Sequence, residues 1–146
     1  MPARFLITGI RAVGQVEGQE TEGRCDPGGP VTVYIDWLNA GDESGYLCAR
    51  ITDLDTGEVV WGISIDQVKL PAGHSGTLWN DPPFTMPERD WRLKVELGHL
   101  EDSQKVYDDS MEITIESTRK AVAFALPWWA LAMLAAGTLI SQGGFK

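Results

Sequence analysis

Residues 31–60, VTVYIDWLNAGDESGYLCARITDLDTGEVV, decide the fold. Val31, Val33, Ile35 and Trp37 share one face, and Thr32, Tyr34 and Asp36 the other. A period of two is the mark of a half-buried strand, because successive side chains of extended backbone point to opposite sides. Asn39-Ala40-Gly41-Asp42 is turn chemistry: Asn and Asp side chains bond nearby backbone, and Gly accepts left-handed dihedrals. Leu47, Ala49 and Ile51 then line the next strand, which places Cys48 on its outer face beside Tyr46 and Arg50. Asp55-Thr56-Gly57 is a tight turn, after which Val59, Trp61, Ile63 and Ile65 continue a hairpin on the inward face.

The same period extends in both directions. Toward the N-terminus, Phe5 to Val16 gives a first strand, weakened by Gly9 and Gly14. Glu17 to Pro30 reads as a loop, with Gly18, Gly23, Gly28, Gly29, Pro27 and Pro30 breaking any regular structure. Its acidic Glu17, Glu20, Glu22 and Asp26 keep it in water. Toward the C-terminus, Leu70 to Gly76 is a loop and Thr77 to Trp79 a short strand ended by Asp81-Pro82-Pro83. Trp91, Leu93, Val95 and Leu97 alternate against Arg92, Lys94 and Glu96, and a last strand carries Met111, Ile113 and Ile115 inward. Seven or so short strands with no helical period before Arg119 predict a mainly β fold, an antiparallel β-sandwich over residues 1–118. A closed barrel is the alternative.

The run 31–60, followed by LPAGHSGTL (residues 70–78) and WRLKVELG (residues 91–98), resembles the CARDB-type immunoglobulin-like domains, cell-adhesion-related domains of prokaryotes. The matching features are Val31, Val33 and Ile35 leading to Asn39-Ala40-Gly41, and then Ala72-Gly73-His74-Ser75. The resemblance spans about residues 1–116. It implies an immunoglobulin-like sandwich and a non-catalytic module used for adhesion, spacing or assembly on cell envelopes or in viral structural proteins.

Beyond the sandwich the chain changes character. Residues 121–140, AVAFALPWWALAMLAAGTLI, hold no charge, and stand between Arg119-Lys120 and the closing SQGGFK. Twenty helical residues rise about 30 Å, the thickness of a bilayer's hydrocarbon core. Residues 119–146 are therefore expected to form a C-terminal transmembrane helix and short tail, with membrane lipid as partner. Phe124, Leu131, Leu134 and Leu139 favour insertion. Trp128 and Trp129 suit a boundary between apolar and wet surroundings, and Ala132 and Ala136 offer a small-residue face for close helix contact. Pro127 favours the first position of a helix. A helix begun there reaches only about 21 Å, which suits an assembly helix buried between subunits instead. The opening MPARFLITGI does not read as a secretory signal, so this segment is the candidate anchor. Arg119 and Lys120 place the sandwich on the cytoplasmic or virion-equivalent side.

The formal net charge of −9 argues against nucleic acid, whose phosphates need Lys and Arg. Cys25 and Cys48 fit no zinc spacing, and leave a bridge or two free thiols open. Asp53 to Glu58 departs from a calcium loop, because the twelfth position is Ser64 rather than Glu. Glu101, Asp102, Asp108 and Asp109 read as a solvated loop. Gly73-His74-Ser75-Gly76 is no nucleophile elbow, and His74 and His99 read as satisfied loop histidines. No catalytic site, cofactor or metal is expected. Trp37, Trp61 and Trp91 fall on inward faces as core, whereas Trp79 with Phe84 offers an exposed apolar patch to a partner subunit. The expected function is a membrane-anchored, non-enzymatic assembly subunit of a virion or cell envelope, binding other subunits including copies of itself. An accessory subunit of a membrane enzyme complex is the second reading.

Overall fold

The computed structural model describes residues 2–119. Ten strands follow in order: β1 (Phe5–Val16), β2 (Gln19–Glu22), β3 (Arg24–Cys25), β4 (Pro30–Asn39), β5 (Gly45–Asp53), β6 (Val59–Leu70), β7 (Ser75–Trp79), β8 (Phe84–Thr85), β9 (Trp91–Glu101) and β10 (Gln104–Ser117). One sheet runs β2-β1-β4-β7, with β8 also on β4; the other runs β3-β10-β9-β5-β6. Every pairing is antiparallel except that of β3 with the end of β10. Among the described residues no helix is long and apolar enough to cross a membrane. The helix expected over 119–146, with Phe124, Pro127, Trp128, Trp129, Leu131, Ala132, Leu134, Ala136 and Leu139, lies outside the described residues.

The alternating residues of the sequence make the core between the sheets. Val31, Val33 and Ile35 of β4 meet Leu47, Ala49 and Ile51 of β5 and Leu93, Val95 and Leu97 of β9, all fully or almost fully buried. Burying each large apolar side chain contributes about 1.5–3 kcal/mol. Edge-to-face aromatic pairs close the two ends: Phe5 on Trp37 at 5.8 Å, and Phe84 on Trp91 at 5.5 Å. Trp61 lies on an edge strand and is only half-buried.

Four local expectations need correction. The segment 17–30 is not all loop, since it holds β2, in a hairpin turning at Glu17 and Gly18, and β3. Strands of four and two residues are too short to show a period. Gly14 admits β3: a Cβ there would lie 2.3 Å from the Arg24 carbonyl oxygen and 2.4 Å from the Cys25 Cβ. Cys25 is thereby fully buried, and both cysteines are free thiols. Cys48, expected outside, is also fully buried. Gly98 stands opposite it in register, and nearby Tyr107 carries the Arg50 guanidinium 4.3 Å from its ring centroid. Burial pushes the Cys48 thiol and the Tyr107 hydroxyl above their ordinary pKa values.

Val59, Ile63 and Met111, expected inward, are exposed. A bulge beside Thr52 turns Val59 out, while Ile63 and Met111 sit opposite the core residues Ala49 and Val95. Periodicity reports which way a side chain points. It does not report whether the other sheet reaches far enough to cover it, and β6 is the edge of its sheet. The fourth correction concerns Asp108 and Asp109 of β10, which hold backbone donors of β1, whereas Glu101 and Asp102 are exposed as expected.

Candidate functional site

The β9–β10 hairpin turns at Asp102 and Ser103, both in the left-handed region at φ 52° and 66°. Past the turn, a bulge between Tyr107 and Asp109 aims two successive carboxylates at β1 of the other sheet. The Phe5 N–H donates to Asp108 Oδ2 at 3.0 Å and the Ile7 N–H to Asp109 Oδ2 at 2.8 Å. β2 pairs with β1 only from Val13 onward, so these carboxylates cap backbone donors that the start of β1 directs away from β4. His99 belongs to β9 rather than to a loop, and only 7% of its side chain is exposed. Its Nδ1 lies 2.8 Å from Asp108 Oδ2 and its Nε2 3.4 Å from Glu101 Oε2. Burial opposes a charged ring here, but the hydrogen bonds and charges of Asp108 and Glu101 outweigh it and raise the His99 pKa.

This histidine helps wall the head cleft, about 790 Å³, between the start of β5, the middle of β6 and the β9–β10 turn. Tyr46, Ser64, Asp66, Lys69, Glu101 and Lys105 also line it, and Lys69 Nζ stands 5.6 Å from the Tyr46 ring centroid. Both nitrogens of His99 face carboxylates, so its geometry is that of a strut between β9 and β10. His74 lies in the exposed turn between β6 and β7.

At the opposite end, Asp53 is 4% exposed and accepts from Trp91 Nε1 at 2.9 Å, Arg89 Nη2 at 2.7 Å and the Asp55 N–H at 2.9 Å. Burial would raise its pKa, yet these donors hold it down to about 2. Asp55 takes Arg89 and Arg92. Guanidinium groups thus occupy Asp53 and Asp55, two carboxylates of the stretch that departs from a calcium loop. Among the described residues no group of three or more His, Cys, Asp and Glu side chains converges to hold a metal.

The outer face of the first sheet holds a third feature. Arg11, Tyr34 and Trp79 stand in one register row across β1, β4 and β7. The Arg11 guanidinium lies 4.2 Å over the Tyr34 ring, and Tyr34 and Trp79 are 6.1 Å apart at 41°. Trp79 is 53% exposed. Phe84, expected to join Trp79 in one patch, turns to the core onto Trp91, so the two do not share a surface. Tyr34 and Arg11 escaped sequence reasoning. Alternation put Tyr34 on an outer face, but only the pairing of three strands brings it to Trp79.

No protein-family model matches the chain, and no curated protein matches it in sequence. The fold is similar to the C-terminal domain of wzt, with a TM-score of 0.56 and 12% identity over 82% of this chain and 77% of that one. It is also similar to part of a Bacteroides uniformis β-glucuronidase, with a TM-score of 0.53 and 14% identity. That match covers 76% of this chain but only 14% of the enzyme. At these identities the likeness concerns the fold alone: an antiparallel β-sandwich.

Proposed function

We propose that the chain is a non-enzymatic structural protein, an immunoglobulin-like sandwich held at a membrane by its apolar C-terminal segment and working as an assembly subunit of a cell envelope or virion. The observation that carries this reading is how the chain leaves the sandwich. The Ser117 N–H donates to Asp90 Oδ1 at 2.8 Å, the Thr118 N–H to the Cys25 carbonyl at 3.2 Å, and the Thr118 hydroxyl to Asp26. Arg119 lies 3.7 Å from Glu88. The described end of the chain is thus held to the sandwich through Arg119, one residue before Lys120 and the uncharged stretch of the sequence.

An anchor beginning there holds the domain in a fixed attitude. β10 has fourteen residues, about 45 Å if straight, and it starts at the head cleft. An anchor that continues the line of β10 puts the cleft at the end of the domain away from the membrane. Subunit contacts fall on the β6 edge, where Val59, Ile63 and Val68 are exposed. The resemblance to CARDB-type domains agrees with a module that spaces or joins. The test is fractionation of the full chain beside a chain lacking residues 121–146. The full chain is expected with membranes and the shortened one in the soluble fraction; membrane association of both defeats the anchor.

A further inference from the structure

A lone exposed aromatic needs no explanation, but Trp79 is braced. Tyr34 leans on it from β4, and Arg11 covers Tyr34 from β1. Two cross-strand contacts restrict the side chains before anything arrives, so little rotamer freedom remains to be lost on binding. We propose that this row is a saccharide-binding platform, which takes the apolar face of a pyranose ring on Trp79 and its hydroxyls on the polar groups of the neighbouring rows.

The neighbours fit that chemistry. In the adjacent row Gly9, Asp36 and Thr77 stand opposite one another, and the Thr77 hydroxyl donates to Asp36 Oδ1 at 2.7 Å. The other carboxylate oxygen of Asp36 lies beside Gly9, where a Cβ would come within 2.8 Å of it. Gly9 thus leaves room for an acceptor oxygen beside the aromatic row. On the far side of Tyr34 a shallow cleft of about 140 Å³ presents Thr32, Gln15 and Glu20. Carboxylates, amides and hydroxyls flanking a single indole complement a ring with one C–H face and a rim of hydroxyls.

Other occupants fit less well. The core of a protein interface is depleted of Asp and Glu, and here the aromatic pair is flanked by the carboxylates of Asp36 and Glu20. The inference is independent of the apolar tail and survives a failure of the anchor.

The experiment is affinity gel electrophoresis of the full chain in mild detergent, through gels containing dextran, xylan, galactomannan, alginate or polygalacturonate. At least one of these pyranose polymers is expected to retard the chain. Trp79→Ala should weaken that retardation about tenfold or more, equivalent to about 1.4 kcal/mol, and Trp79→Phe should weaken it less. Because Trp79 lies outside the core, both variants should keep the thermal midpoint of the parent, which separates lost binding from lost fold. The proposal is overturned if no polymer retards the chain, or if Trp79→Ala is retarded as strongly as the parent. It is equally overturned if Trp79→Ala dissolves an oligomer and leaves saccharide binding untouched, since the face is then a subunit contact.

Discussion

Asp53 shows what a single carboxylate does when three elements point donors at it. Its pKa falls from the ordinary 3.8 to about 2, so it favours the folded state by about 2 kcal/mol at neutral pH. The lowered value means that this stability is whole above about pH 4 and is lost as pH falls through 2. Asp53→Asn should therefore cost about 2 kcal/mol in denaturant unfolding at pH 7, and the gap between variant and parent should close near pH 2. His99 runs the other way. Its pKa is raised in the folded state, so its contribution is complete below the unfolded value near 6.5 and disappears as pH climbs through the folded value. His99→Asn should flatten the thermal midpoint between pH 6 and pH 8, where the parent should decline; parallel profiles would discount the strut. Neither site was visible in the sequence. Asp53 read only as the start of a stretch that departs from a calcium loop, whereas its bonds to Asp55 and Thr56 brace the tight turn. Its link to Trp91 joins residues 38 apart.

At the scale of elements, legibility followed strand length. β4, β5 and β9 are long enough to show alternation, and their buried faces were readable from Val31, Leu47, Leu93 and their neighbours two residues apart, whereas β1 was readable only as a strand. β2 and β3 were not, because a strand held by a glycine approach such as Gly14 against Cys25 has no pattern of its own. Edge strands were half legible: the direction of Ile63 followed from period two, but its exposure depends on the reach of the opposing sheet. β6 deserves a test for that reason. Its first seven residues, VVWGISI, carry no charge, lie at a sheet edge and show exposed Val59 and Ile63. Ile63→Lys should reduce self-association of the full chain in sedimentation while leaving its melting temperature within a few degrees of the parent. Unchanged sedimentation would remove β6 from the assembly. The row of Arg11, Tyr34 and Trp79 belongs to this scale too, since it exists only once β1, β4 and β7 are in register.

For the molecule as a whole, the two sides of the sandwich are finished differently. On one side β3 and the Asp108 and Asp109 carboxylates bind β10 to β1, and on the other β6 and β7 end as edges. β10 is joined to β9 over eleven register pairs that run along its length. Tension applied from beyond Arg119 thus pulls along the ladder and loads its hydrogen bonds in shear, all together, instead of peeling them one at a time. A domain tethered by that end resists mechanical extraction most strongly in the direction in which its tether would pull.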